Sequence, residues 1–344
     1  MSKGQASGIM EALWGWPPPV LDPAGPYASS VTTLAWGLLI MGLAVTGVVI
    51  AALYVAIKGP ERWRRKLGGE KAVWIGGIAF PAVVLTGLLV WGLALTTSLT
   101  EPITGREARV RITGEMWWFR VEYLDSAGRV IVRDANELHL PLDRPVVLEL
   151  RSADVIHSFW VPHLSGKKDM VPGRINLLRV EASRTGRFGG VCAEYCGGPH
   201  ALMGFVTEVH EEADYDRWLA ARAARQAQPV AAGAIPGRPG EVVRDPAEPQ
   251  RYDPARGWAL FRDTGCAACH RIAGTEANGL AGPDLTHVGT RLSLGAGILP
   301  NHRGTMMGWV ADSQSIKPGN RMPSYDRLSA EELGHIAAFL EAQK

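Results

Sequence analysis

Residues 192–203 read Cys192-Ala-Glu-Tyr-Cys196-Gly-Gly-Pro-His200-Ala-Leu-Met203. The pattern C-x-E-x-C-x-x-x-H-x-x-M crowds two thiols, an imidazole and a thioether into one short loop. Such soft donors favour copper among the common metals. A single blue-copper ion takes one Cys, two His and a weak Met. Here a second Cys is present, and two thiolates can bridge two copper ions with one terminal His on each. A disulfide has no need of His200 and Met203 at these offsets, and zinc takes no Met. The expected donors are therefore Cys192, Cys196 and His200, with Met203 and the backbone carbonyl of Glu194 as weak axial ligands.

The second imidazole must come from outside the loop. His157, in Asp154-Val-Ile-His157-Ser-Phe-Trp-Val-Pro162, follows the strand-like run PVVLELRS and is the expected ligand. His163 competes, but it follows Pro162 and is expected to face solvent. Around these residues, from about 105 to 212, the runs ARVRITG, RVIVRD, PVVLELRS, INLLRVEA and GFVTEVH are β-branched and separated by Gly, Pro, Asp and Asn. Short strands at this spacing predict an all-β sandwich or barrel. A short helix is expected over 213–225.

Toward the C-terminus the pattern turns helical. Cys266-Ala-Ala-Cys269-His270 is the C-x-x-C-H signature of covalent c-type haem attachment, with His270 as proximal ligand. A thioredoxin-like pair or half a zinc site would leave His270 unexplained. A haem that only carries electrons needs a second axial ligand, and Met raises its potential relative to His. Met322, on Gly319-Asn-Arg-Met322-Pro-Ser-Tyr325, is the expected ligand, with Met306 and Met307 as packing residues. Ser329-Ala-Glu-Glu332 is a capping box opening a last helix whose apolar face is Leu333, Ile336, Ala337 and Leu340.

Toward the N-terminus two stretches, 31–57 and 72–100, carry no charged residue. About 20 apolar residues cross a bilayer as a helix, so both are long enough. The first is too long, and begins too far in, for a cleaved signal peptide. The loop Lys58 to Lys71 holds six basic and two acidic residues. The positive-inside rule puts that loop in the cytoplasm and everything after residue 100 on the opposite face, periplasmic or extracellular in a bacterium.

Composition bounds the remainder. A net charge of +2 on 344 residues argues against a nucleic-acid surface, and 47% apolar residues exclude a disordered chain. Four cysteines are too few for a disulfide scaffold. Residues 226–250 hold five prolines without apolar periodicity and read as a semi-rigid linker. The expected organisation is an outer-face segment (1–30), a transmembrane hairpin (31–100), a cupredoxin-like β domain (101–225), the linker (226–250) and an all-α haem domain (251–344). His139, His210, His287, His302 and His335 lack motifs and are expected to be surface or packing residues.

The strings DVIHSFWVP, KKDMVPGR and CAEYCGGPHALMGFVTEV over 154–209 closely resemble subunit II of the cytochrome c oxidases of the haem–copper family. The hairpin and β domain fit that family. The C-terminal part is similar to a class I cytochrome c, as in the family's cytochrome-bearing branch. The resemblance implies a binuclear CuA centre and haem c. It implies that electrons arrive from a donor cytochrome and pass through haem and copper to the haem of subunit I, where oxygen is reduced with proton pumping. It further implies that Glu194 binds Mg or Mn at the subunit I interface, near Asp169 and Arg174, that His200 faces the next acceptor, and that Pro283 packs beside His270. Trp117, in Gly114-Glu-Met-Trp117-Trp118-Phe119, aligns with the family's electron-input patch, although Phe119 stands where the family has another Trp. Partners implied are subunit I, other oxidase subunits, the donor cytochrome and membrane lipid. A nitric oxide reductase input subunit and a copper-handling membrane protein are the alternatives.

Overall fold

The computed structural model describes residues 18–99, 104, 107–230 and 251–344, so most of the expected linker and of the outer-face segment lies outside the described residues. Ser29–Thr104 forms one compact unit and the remaining described chain another. In the first, helix α1 (Pro26–Lys58) begins ahead of the uncharged run. After a short α2 (Glu61–Leu67), helix α3 runs from Glu70 to Leu99 with a π-helical stretch at Ile75–Ala79. Pro81 explains that stretch, because its missing N–H and bulky ring disturb the preceding turn, and a π-turn absorbs the mismatch. Both long helices are apolar enough to cross a membrane, with mean hydropathies of 2.5 and 2.2.

The second unit opens with a β domain of ten strands. These are β1 (Ala108–Glu115), β2 (Trp118–Leu124), β3 (Val130–Ala135), β4 (Glu137–Pro141), β5 (Val146–Ser152), β6 (His157–Trp160), β7 (Lys168–Met170), β8 (Asn176–Val180), β9 (Gly186–Cys192) and β10 (Gly204–His210). They form two five-stranded sheets, ordered β3-β2-β1-β5-β8 and β4-β10-β9-β6-β7. Along β1 the side chains alternate. Val110 and Ile112 are fully buried, while Arg111 between them turns out to pair with Glu149 at 3.3 Å. Facing residues Phe119 and Phe205 meet edge-to-face, 5.0 Å between centroids, and Phe159 stacks on Phe205 at 4.8 Å. Each such fully buried side chain contributes about 1.5–3 kcal/mol.

The five strand-like runs of the sequence all lie in strands, but β2, β4, β6, β7 and β9 carried no such signal. Helix α4 (Glu212–Gln226) follows as expected. His163 corrects an expectation: it is 6% exposed rather than solvent-facing. The chain ahead of α1 covers it, with the His163 ring 2.7 Å from the Asp22 carbonyl and the Ala24 amide donating to the His163 carbonyl.

The C-terminal part is built from α5 (Pro254–Asp263), α6 (Arg303–Ala311), α7 (Ser313–Ile316) and α8 (Ala330–Glu341), with a small hairpin of β11 (Ser293–Leu294) and β12 (Leu299–Pro300). Ser329 and Glu332 form the capping box of α8, whose residues Leu333 to Leu340 are all buried. Helices α5 and α8 cross at Gly257, where an added Cβ would lie 2.0 Å from the His335 carbonyl. That close approach lets Phe261 and Trp258 pack on Phe339 at 5.6 and 5.3 Å. Gly257→Ala is therefore expected to destabilise this domain by about 1–3 kcal/mol, the range for overpacked cores. Denaturant unfolding of the full chain, followed through the α5–α8 tryptophan region, checks it. An unchanged midpoint would show that the crossing can open without cost.

Candidate metal centre and haem site

Strand register assembles the first site. Phe159 of β6 pairs with Cys192 at the end of β9, so His157, two residues earlier on β6, arrives beside the Cys192 sulfur. The loop that leaves β9 returns into β10 at Gly204, and the Cys192 amide donates to the Met203 carbonyl at 3.0 Å, closing the loop's neck. Within it, the Cys192 and Cys196 sulfurs stand 3.7 Å apart as free cysteines. Around them lie His157 Nδ1 (3.8 Å from Cys192), His200 Nδ1 (3.4 Å from Cys196), Met203 Sδ (3.8 Å from Cys196) and the Glu194 carbonyl (3.3 Å from Cys192). The six donors expected from the sequence thus lie around the two sulfurs, whereas His163 bonds the Asp22 carbonyl.

The electrostatics suit cations. Burial works to raise the Cys192 thiol, but hydrogen bonding with His157 and with the backbone at Glu194 and Ser158 outweighs it and brings the thiol down to about 7. Cys196 is driven the other way, to about 12, by burial and by the charge of Cys192 beside it. Two thiolates this close repel unless positive ions lie between them. Two thiolates, two imidazoles, a thioether and a carbonyl make a donor set that fits copper.

Sequence reading missed the groups that aim these donors. Asp154 Oδ1 holds His157 Nε2 at 2.8 Å, which turns Nδ1 toward the sulfurs, and Asp154 Oδ2 accepts from the Met116 amide at 2.9 Å. Such an outer carboxylate fixes the orientation of a metal-ligating His. Gly114 gives the ring its space, since a Cβ there would lie 2.7 Å from His157 Cδ2. Trp117 is tied to the same loop, its indole Nε1 donating to the Cys196 carbonyl at 2.9 Å. Neighbouring Phe119, by contrast, is buried in the sandwich core.

The haem-attachment segment is equally organised. Cys266 is buried and Cys269 exposed, both free. The His270 ring Nδ1 donates to the Pro283 carbonyl at 2.8 Å, leaving Nε2 for a metal, and burial pushes the imidazole toward its neutral, ligating form. Gly282 allows this contact, because a Cβ there would lie 2.6 Å from His270 Cε1. Met306 is a buried core residue of α6. Met322 is half-buried on a turn, its amide accepted by Asn320 and its carbonyl bonded by Ser313 and Gln314.

Among the remaining histidines, His139 is buried, stacked on Trp218 at 4.1 Å and hydrogen-bonded to His210 at 2.8 Å, with Glu208 nearby. His287 and His335 are buried as well, so these residues pack.

Known proteins resemble both regions of the chain. Residues 110–210 match the family described as cytochrome C oxidase subunit II, periplasmic domain, and residues 254–344 match cytochrome c. A cytochrome c oxidase subunit 2 of Alkalihalophilus pseudofirmus is 32% identical over 339 residues, spanning 94% of this chain and 90% of that one. The chain belongs to the cytochrome c oxidase subunit 2 family. A Bacillus subtilis cytochrome c oxidase subunit 2 is 26% identical over 94% of this chain and 91% of its own. Among solved structures, the periplasmic domain of subunit II from Bradyrhizobium japonicum is 27% identical over 34% of this chain and 94% of that one, with a TM-score of 0.32. As a subunit 2 with a fused cytochrome c domain, the chain is part of an oxidase, its two family regions imply CuA copper and haem c, and its apolar helices anchor it to a membrane.

Gly114→Ala should push the His157 ring aside. Overpacking of this kind costs about 1–3 kcal/mol, so copper affinity should fall roughly tenfold while covalent haem content is unchanged. Copper titration of the haem-bearing chain measures it. Equal affinity would mean that His157 does not need this position.

Proposed function

We propose that the chain is the electron-input subunit of a bacterial plasma-membrane cytochrome c oxidase. Electrons from a donor cytochrome reach the haem region first, pass to the copper loop, and leave for the haem of subunit I, where oxygen is reduced to water with proton pumping. The observation that carries this reading is that one indole, Trp117, touches both the copper loop and the turn that carries Met322. That indole donates to the Cys196 carbonyl, and its far edge lies 3.9 Å from where a Cβ on Gly319, in the Met322 turn, would sit.

Cys266, Cys269, His270 and Met322 would hold haem c, and His157, Cys192, Glu194, Cys196, His200 and Met203 would hold two coppers. Bound there, both groups supply reversible one-electron chemistry. The protein's part is to keep every donor still, so that little rearranges when charge moves. Asp154 fixes His157, the Pro283 carbonyl fixes His270, and the β9–β10 neck fixes both ends of the copper loop.

The face for subunit I is supported by exposed apolar side chains beside the copper donors. Val155 and Ile156 precede His157, and Tyr195, 74% exposed, lies with its ring 5.8 Å from that of His200. Singly exposed apolar residues are ordinary, but three of them around a buried metal loop suit a permanent protein contact. Glu194, exposed on the same loop, accepts from the Tyr195 amide at 3.2 Å and keeps lone pairs for a Mg or Mn ion at that interface, with exposed Asp169 and Arg174 near the same face. The basic loop between α1 and α3 would lie in the cytoplasm and both redox domains on the outer face.

Electron paramagnetic resonance on the copper-loaded, haem-bearing chain tests the paired site. The expected signal has a hyperfine pattern too rich for one copper nucleus, beside a low-spin haem, and a single-copper spectrum would overturn it. For the haem, Met322→Ala should retain covalent attachment but lose the sulfur-to-iron absorption band. A band that persists would transfer the ligand role to Met306 or Met307.

A further inference from the structure

The two redox domains meet at an interface whose centre is a buried lysine. Lys317 follows α7, is 3% exposed, and donates from Nζ to three backbone carbonyls. Two belong to the β domain, Trp117 at 2.6 Å and Leu202 at 2.8 Å; the third, Gly295 at 3.1 Å, belongs to the haem domain. An ammonium has three N–H donors and no acceptor, so these carbonyls satisfy it fully. Burying an ammonium costs several kcal/mol unless every donor is used. Here that condition is met only when the two domains are together.

The acceptors are not arbitrary backbone. Trp117 is the residue whose indole holds the Cys196 carbonyl, and Leu202 lies between His200 and Met203 on the copper loop. On the other side, Lys317 and Met322 share one hydrogen-bonded turn. Asn320 Nδ2 donates to the Lys317 carbonyl at 2.8 Å, while Asn320 Oδ1 accepts from the Met322 amide at 2.8 Å. The Lys317 amide donates to the Ser313 carbonyl, and the Ser313 hydroxyl donates to the Met322 carbonyl. A shift of the ammonium would therefore be felt at the Met322 backbone. Nearby contacts flank this pin: the Gly204 amide donates to the Ala296 carbonyl at 3.1 Å, and buried Arg291 pairs with Asp134 at 2.9 Å. Burial pulls Lys317 down to about 7, and the Cys196 sulfur works the other way.

We propose that Lys317 is the positioning residue that seats the haem domain on the copper domain, setting Trp117 and the Met322 turn against each other so that electrons cross within one chain. The proposal rests on the electron-input reading for its functional consequence, but the seat itself is a statement about the folded chain. It assigns to one ammonium a task that a surface ion pair could not perform. An exposed pair is worth about 0–1 kcal/mol and is weakened by salt, whereas a fully bonded buried ammonium strips three carbonyls of their partner when it is removed.

Two measurements on the intact, copper-loaded, haem-bearing chain in detergent test it. In the first, the native protein is treated with an amine-acylating reagent and mapped by mass spectrometry. Lys317 should react at least tenfold more slowly than exposed Lys167 and Lys168. Equal rates would overturn the proposal without any variant being made. In the second, a light-activated reductant delivers an electron to the haem, and its equilibration with copper is followed optically. Lys317→Met should slow that step at least tenfold and speed hydrogen exchange at the Gly204 amide, with covalent haem content and copper content as in the parent. Equilibration and exchange at parental rates in Lys317→Met would overturn the seat. If the parent chain itself shows no haem-to-copper equilibration, the electron-input reading fails, and the acylation and exchange results still decide whether Lys317 holds the domains together.

Discussion

Two buried sulfurs 3.7 Å apart are the constraint on which the β domain turns. Left to themselves they resist sharing a site, and the opposite displacements of Cys192 and Cys196 express that resistance. The fold overrides it by anchoring Cys192 in β9 and returning the chain into β10 directly after Met203. Adjacent antiparallel strands separated by about 4.8 Å leave the intervening loop little freedom to spread. His157 enters from the next strand in the same sheet, so three neighbouring strands, β6, β9 and β10, account for the whole donor set. The second sheet then supplies the roof: Gly114 makes room for the His157 ring, and the segment between β1 and β2 delivers Trp117 to the Cys196 carbonyl.

Much of this was legible in the sequence, because metal and haem chemistry demand particular residue types at short spacings. Both cysteine clusters are local, and a local motif survives whatever fold surrounds it. The strands found by pattern, such as β1 and β5, are rich in β-branched residues. Those missed fail for identifiable reasons. Strand β9 reads GRFGGVC, and its glycines hide the pattern: Gly190 is where the Phe205 ring lies, closer than a Cβ could allow. Strand β4, ELHLP, does alternate, but it is only five residues long and includes Glu and Pro, residues depleted in strands.

Other features are absent from local sequence because they are made by distant segments. His163 looks like a polar residue after a proline, but the chain ahead of α1, some 140 positions away, and Phe188 of β9 cover it. Asp154 could be suspected from its spacing to His157, but Lys317 could not. Nothing in Ile-Lys-Pro-Gly marks a lysine as buried, since its three acceptors are carbonyls scattered over nearly 200 positions. Gln226 makes the same point at the expected start of the linker: it still ends helix α4, is buried, and its side chain bridges Arg133 and Arg271.

The character of the domain contact follows from the covalent connection. A free cytochrome must find its partner by diffusion, and opposed charged faces raise that encounter rate. The haem domain here carries ten basic and nine acidic residues, too balanced to steer anything strongly. A tether removes the need, because it keeps the local concentration of the second domain high at any ionic strength. What such a contact requires instead is register, and register is what neutral backbone acceptors around an ammonium, a backbone bond from Gly204 to Ala296 and a buried Arg291–Asp134 pair provide. These groups are directional and shielded from salt, so they fix an orientation rather than attract from afar. A chain that joins its two domains covalently can thus trade long-range attraction for short-range precision, and the buried polar contacts at this interface are the physical form of that trade.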